Sequence, residues 1–583
     1  MKSCSRVKWL AGLTWLAVLI WMWAVPGAMK LAEAEEGNTA QYQVLRQRNG
    51  GHLAERLRFI PTTDQAVIYT FGGLSKAQPL ADILTRLDDN QMHGTFFVSE
   101  RELQRNADNV AMIAAHGQEL AIGLRAEKTD GFFDFCAQID RIQTALRENY
   151  GVDTNYVRLV TGPDSDELKE AVSAMGCVLF GQGLNVVQSK HKDAQTTDEV
   201  MKDIFGKWTT SLGRGEIVYI RTDFYTKALL AGDMMMEVKA KKIDNIAYRT
   251  YDDTPELDPA NDSAYRVASV GEVMANTDKL YTYPVNPDAV PAELRPGYKP
   301  FTVTDADFED EFYKRYIGSP LVDANDRMIG FSRSEMDKAD KTGMVKTVTD
   351  NTVFLTFDDW GNDDSINKLL YVLRKHHVTG TFFIITWNMP NNPNLLRAIA
   401  ADGNEIGSHT NGHKAMAVRD KKNHQVPVLS NVDYAVDVRQ AYEKLAATVG
   451  DVEVDGRYSL TRLMRPPTLA VSRAGVRSIL EAGYTYIVSG YESTEDYEQP
   501  NLQALVTSMQ HGVFDSKGRV RKGAVLVMHM SSTAGFTPRA LDLLLTVNEQ
   551  RPDTDPAKFK VGRLADYLTG DYSQRMRVNM DLR

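Results

Sequence analysis

Cysteine is nearly missing. Three occur in 583 residues, without clustered spacing, so zinc held by a thiolate cluster and a disulfide framework are both excluded. Cys4 precedes a long apolar run, which leaves Cys136 and Cys177 to pair only with each other. We read these two instead as small buried hydrophobes. Positive charge is also scarce: 67 Lys and Arg against 77 Asp and Glu leave a net charge of -10. That balance argues against nucleic acid or an anionic membrane as the main partner and suits a neutral or cationic substrate. Apolar, aromatic and charged fractions are ordinary for globular protein. The chain is too long for one core, and roughly two to four domains are expected.

What is present begins at the N-terminus. Lys2, Arg6 and Lys8 precede an apolar run over 9–29, followed by Lys30 and a stretch of small and acidic residues. A basic start and a hydrophobic run predict export, and Ala32-Glu33-Ala34 offers small residues at a spacing suited to cleavage. The run approaches the ~20 residues that span a bilayer. Residues 1–34 are therefore expected to be a signal peptide or an N-terminal membrane anchor, positive end inside.

The chain then repeats itself. Ala66-Val67-Ile68-Tyr69-Thr70-Phe71-Gly72-Gly73 aligns with Thr352-Val353-Phe354-Leu355-Thr356-Phe357-Asp358-Asp359. Gly94-Thr95-Phe96-Phe97 aligns with Gly380-Thr381-Phe382-Phe383, 23 residues after Phe71 and Phe357 respectively. Gly117 and Gly403 keep the same interval again, and Gly176 and Gly483 each fall 18 residues after Arg158 and Arg465. A sustained register of this kind means two copies of one domain. In the second copy, strands are expected over 353–357, 381–385, 404–408, 461–465, 484–489 and 524–529. Helices are expected over 365–376, 394–401, 432–449 and 472–482. Strand–helix alternation predicts an α/β fold with a parallel sheet, either a barrel or doubly wound. Between the copies, 227–349 is rich in Pro, Asp and Asn and reads as a linker or small adaptor, with a short helix over 309–316 and a hairpin over 321–329.

Candidate chemistry sits at strand ends. Asp358 and Asp359 close an apolar strand where Gly361 lets the chain turn. Side chains of adjacent strand residues face opposite ways, so the two carboxylates are free to do different work. His409 and His413 follow the third strand at i and i+4, on one face if that segment is helical. Two imidazoles and one carboxylate make a ligand set for a divalent ion with positions left open.

Thr356-Phe357-Asp358-Asp359, His409-Thr410 with His413, Arg465-Pro466-Pro467 and Val527-Met528-His529, in that order, closely resemble the polysaccharide deacetylase (NodB homology) family of carbohydrate esterases. The resemblance implies two tandem distorted (β/α) barrels, with chemistry at the C-terminal strand ends. It implies Asp358 as general base, Arg465 orienting it and His529 as general acid. Asp359, His409 and His413 would bind one divalent ion, zinc first, with cobalt, nickel or manganese as alternatives. The implied substrate is an N-acetylated polysaccharide at the cell envelope or outside the cell. Peptidoglycan N-acetylglucosamine comes first; chitooligosaccharide, poly-N-acetylglucosamine and acetylxylan are alternatives. The rival is a non-catalytic glycan-binding protein of the same fold.

Three departures from the family pattern stand out. Thr468 and Leu469 follow the Arg-Pro-Pro where an aromatic and a glycine are usual. Ser493 falls where an acid orienting His529 is expected, although Asp496-Tyr497 lies nearby. Trp360, next to the acid pair, is either a sugar platform or a packed loop residue. The first copy has Gly72 and Gly73 for the acids, Gly123 and Glu127 for the histidines, and Arg221 for His529; only Arg158 survives. The expected organisation is thus 1–34 export segment, 50–226 degenerate copy, 227–349 linker and 350–583 catalytic domain.

Overall fold

A computed structural model describes residues 36–205, 212–243, 265–321 and 328–569. The proposed export segment, and most of the expected hairpin over 321–329, lie outside the described residues. Among those described, no helix is long and apolar enough to cross a membrane.

The first unit is built on β1 (Ala66–Gly72), β2 (Thr95–Val98), β3 (Glu119–Arg125), β4 (Tyr156–Thr161), β5 (Val178–Phe180) and β6 (Ile217–Arg221). The second is built on β7 (Thr352–Asp359), β8 (Thr381–Ile384), β9 (Glu405–Ser408), β10 (Leu460–Met464), β11 (Tyr486–Val488) and β12 (Val525–His529). These strands pair in parallel and most, β1, β2, β7, β8 and β12 above all, are buried on both faces, which is why those read as apolar runs rather than alternations.

Strand order is the same in both sheets. The first runs Arg56–Leu57, β5, β4, β3, β2, β1, β6, Leu184–Asn185; the second runs Tyr316–Ile317, β11, β10, β9, β8, β7, β12, Glu492–Ser493. A short extra strand joins the organising strand of each, Arg266–Ala268 on β1 and Lys560–Val561 on β7. The end strands of neither sheet pair with each other. Each unit is therefore a curled, unclosed barrel jacketed by helices: two tandem distorted (β/α) barrels.

The repeated Gly-Thr-Phe-Phe has a physical cause. A Cβ on Gly380 would lie 2.6 Å from the Phe357 ring and 3.3 Å from the Leu355 carbonyl, and one on Gly94 would run into Phe71 in the same way. The Gly380 N–H donates to Asn404 Oδ1 (2.9 Å) and Thr381 Oγ1 donates to Glu405 (2.7 Å). Gly94 and Thr95 repeat both bonds onto Gln118 and Glu119 (2.8 and 2.5 Å). Register across the first three strands is thus pinned twice over by the same short code.

Helices Asp363–Lys375, Pro393–Ala401, Asn431–Val449 and Arg473–Glu481 lie within two residues of the expected bounds. Two more, Leu502–Val513 and Thr537–Gln550, were not anticipated. The segment between the copies does not stand apart. Arg266–Ala268 extends the first sheet, Tyr316–Ile317 extends the second, and Met328–Ile329 pairs in parallel with Val471–Ser472. Helix Phe308–Arg315 packs Phe308 and Phe312 into the second core.

The two units meet through a buried polar seam. Asn394 Nδ2 donates to the carbonyls of Ile60 (2.9 Å) and Arg214 (2.6 Å), while its Oδ1 accepts from the Thr62 N–H (3.1 Å) and the Tyr281 hydroxyl (2.6 Å). Arg214 donates to Asn367 Oδ1 (2.9 Å) and Tyr265 donates to Asp363 (3.1 Å). The chain approaches closely here because Gly215, at φ +67°, has no Cβ to strike the Ile60 carbonyl.

Candidate active site

β7 and β12 are neighbours, and their register places Asp358 beside His529. Asp358 is buried and accepts from Arg465 Nη1 at 2.7 Å. Arg465, fully buried, also donates to Thr356 Oγ1 (2.7 Å) and the Val488 carbonyl (2.9 Å) and lies 4.3 Å from the centre of the Phe383 ring. Its direction is therefore set from three sides. Burial raises the Asp358 carboxyl above the ordinary carboxylate value, opposed by the Arg465 charge. That is the balance a general base needs.

Asp359 ends the strand at φ +81°, a left-handed backbone that turns its side chain away from that of Asp358. Its Oδ1 is buried without a hydrogen-bond partner, 3.4 Å from His413 Nε2 and 3.7 Å from His409 Nε2. An orphaned carboxylate oxygen facing two imidazole nitrogens fits a cation. Among the described residues these three side chains are the group whose ligand atoms converge, all within 4.8 Å of one another. His409 Nδ1–H donates to the Arg465 carbonyl (2.8 Å), which leaves the Nε2 lone pair toward the site. Burial lowers the His409 imidazole to about 3, so it is neutral, as a ligand must be.

One expectation is corrected. The segment 409–413 is not helical, because Thr410 and His413 sit at φ +67° and +51°. The histidines converge through a strained loop, which Asp437 holds by accepting from the Asn411 and Gly412 N–H groups (both 3.0 Å). Sequence reasoning missed Asp437; its signal was an acid on an otherwise apolar helix face.

The acid that orients His529 is Asp496. Its Oδ1 lies 2.6 Å from His529 Nδ1, and its Oδ2 accepts from the His529 backbone N–H (2.9 Å) and from Thr537 Oγ1 (2.5 Å). Burial pulls the imidazole down, but the Asp496 carboxylate overrides it and raises His529 to about 9. Tyr497 stands edge-on to the same ring, 4.8 Å between centroids. Thr468 and Leu469 line the pocket at φ +61° and +59°, and the Leu469 N–H is already spent on the Pro466 carbonyl (3.0 Å). The cavity over these groups measures about 470 Å³.

The first unit's corresponding position is plugged by its own side chains. A Cβ on Gly72 would lie 2.8 Å from the Tyr219 hydroxyl, so this phenol occupies the space of the missing acid. Tyr219 replaces Val527 in register, and the Arg158 guanidinium sits 3.9 Å from its ring centre. Arg221, at the His529 position, pairs with Asp223 at 2.6 Å. Cys136 and Cys177 are free and buried, each thiol pushed up to about 12 by burial.

Comparison with known proteins places the second unit. Residues 345–487 match the family model described as polysaccharide deacetylase. A chitooligosaccharide deacetylase of Bradyrhizobium sp. (strain ANU 289) is 25% identical over 178 residues, 30% of this chain and 70% of that protein. A peptidoglycan-N-acetylglucosamine deacetylase of Bacillus cereus is also 25% identical over 178 residues, 30% of this chain and 71% of its own length. A solved pseudoenzyme of the CE4 family from Bacillus anthracis is 22% identical, with a TM-score of 0.29 over 38% of this chain and 66% of that one. The similarity to the polysaccharide deacetylase family therefore lies in the second unit, over residues 345–487.

Proposed function

We propose that this chain is an exported, metal-dependent deacetylase that hydrolyses N-acetyl groups of a cell-wall or extracellular glycan, peptidoglycan N-acetylglucosamine first. One observation carries the reading. Two oriented dyads, Asp358 with Arg465 and His529 with Asp496, stand on neighbouring strands beside the convergent donors Asp359, His409 and His413. The relatives' substrates, chitooligosaccharide and peptidoglycan, support the substrate class. The basic, apolar N-terminal segment supports export.

A divalent ion held by Asp359, His409 and His413, zinc first, supplies Lewis acidity toward the acetyl carbonyl and the attacking water. The chain's own groups do the rest. Asp358 Oδ2, the oxygen not engaged by Arg465, takes the proton as water attacks the carbonyl carbon. His529 Nδ1–H points at Asp496, so the proton it delivers to the departing nitrogen comes from Nε2. The C–N bond breaks, and acetate and a free amine leave. Asp496 also supports this reading over the non-catalytic rival, because the orienting acid that the rival needed to be missing is present at 2.6 Å.

The test is acetate release from N-acetylglucosamine polymers, with metal content measured on the same protein. Asp358→Asn is expected to lower turnover by at least ~10²-fold, in the range for a lost general base, while the bound ion is retained. Wild-type turnover in that variant would remove Asp358 from the mechanism. Absence of any acetate release from wild type would leave the glycan-binding rival. Recovery of the protein in the cell-envelope or culture fraction tests export.

A further inference from the structure

Beside the seam between the units lies a cleft of about 520 Å³, larger than the catalytic cavity and within the usual range for a ligand site. The first unit supplies Arg58, Phe59 and Glu216; the second supplies Trp360 and an amide-rich run including Asn388 and Asn391. Amides offer both donors and acceptors, aromatic rings offer flat apolar faces, and the charged side chains balance, Arg58 and Arg214 against Glu216 and Asp363. That chemistry suits a neutral ligand dense in hydroxyl and acetamido groups. It suits neither an apolar molecule nor a polyanion.

Two loops tie this cleft to the catalytic pocket. Trp360 directly follows Asp359, so their Cα atoms are about 3.8 Å apart, the span of one trans peptide. Trp387, 65% exposed, precedes Asn388, and its N–H donates to the Asn411 carbonyl inside the histidine loop at 3.0 Å. Each loop thus has one end at the donor set and the other in the cleft. The floor is rigid: Asn392 Nδ2 donates to Asp363 at 2.6 Å, and the Asn394 and Arg214 bonds lock the two units beneath it.

We propose that the cleft between the two units is a glycan subsite. It receives sugar residues that flank the one presented to Asp359, His409 and His413, so that the catalytically bare first unit takes part in holding the polymer. This rests on the deacetylase reading, and the test separates the two.

The probes are β-1,4-linked N-acetylglucosamine oligomers of two and six units. Their binding to Asp358→Asn protein is followed by calorimetry, alone and with Arg58→Ala or Asn391→Trp added. Both added positions are exposed, so neither change threatens the fold, and an unchanged Tm checks this. The hexamer is expected to bind at least tenfold tighter than the dimer, and each added substitution is expected to remove most of that difference. A hexamer that binds no tighter than the dimer, or a length dependence that survives both substitutions, overturns the subsite. Acetate release from the same oligomers by wild type reads the other claim. Release without length-dependent binding sinks the subsite and keeps the deacetylase. Length-dependent binding lost in the variants, without release, does the reverse.

Discussion

At the residue scale, the site is held together by groups that fix one another's charge and direction. His529 is the clearest case: burial alone would make it a poor acid at neutral pH, and Asp496 reverses that. An acid works below its pKa, so the rate falls as pH rises through the His529 value. Asp496→Asn removes the largest opposing group and leaves burial against the weaker pull of the Asp358 and Asp359 carboxylates. We expect the alkaline limb of kcat/KM to move acidward by about 2 units, the scale of a lost close charge partner, with a lower plateau rate. A pH–rate profile checks this; an unmoved limb would assign it to another group. Asp358, Asp359, His409, His413, Arg465 and His529 were all nameable from the sequence because they stand at or just after strand ends, in short motifs that resemble the family pattern. Asp496 was a candidate without an assigned role, since Ser493 stands where the orienting acid is expected and Asp496 follows three residues later. Only the fold shows that it, and not Ser493, reaches Nδ1.

Strain marks the same place. Asp359, Thr410, His413, Thr468, Leu469 and Glu495 all carry positive φ without being glycine, and all line or flank the catalytic pocket. Each such residue costs on the order of 1–3 kcal/mol and persists only where its surroundings over-determine it. Sequence periodicity cannot reveal this, because it reports which face is buried and not how the backbone turns at a strand end.

At the scale of elements, the duplication provides an internal control. Gly94 and Gly380 meet the same Phe–carbonyl wall, one beneath Gly72 and the other beneath Asp358. Alanine at either position overpacks its core, at an expected ~1–3 kcal/mol. Only Gly380→Ala displaces Phe357, the residue before the base, so only it should also lower kcat. Denaturant unfolding and acetate release on the two single variants would show matched stability losses with unequal rates. Matched rates would mean that Phe357 does not position Asp358. Strands and most helices of the second unit were legible because buried parallel strands and amphipathic helices leave strong patterns. Helices Leu502–Val513 and Thr537–Gln550 lie outside the expected set.

At the scale of the molecule, the contact between units was invisible in the sequence. Asn394 reads as an ordinary polar residue opening a helix; its partners Ile60 and Arg214 lie 334 and 180 residues away. Yet its side chain makes four hydrogen bonds across the seam and is almost wholly buried. Truncation leaves two carbonyls, one N–H and one hydroxyl facing a space where the amide had satisfied them. Each stranded buried group costs ~1–3 kcal/mol, part of it recovered by water entering from the adjoining cleft. Asn394→Ala is therefore expected to destabilise the chain by about 3 kcal/mol, and to do so by loosening one unit from the other rather than by unfolding either core. Thermal unfolding of wild type should give a single coupled transition that separates into two in the variant. If the variant keeps one transition at the wild-type temperature, the seam does not join the units. The cleft above it would then lack the rigid floor on which a shared glycan subsite depends.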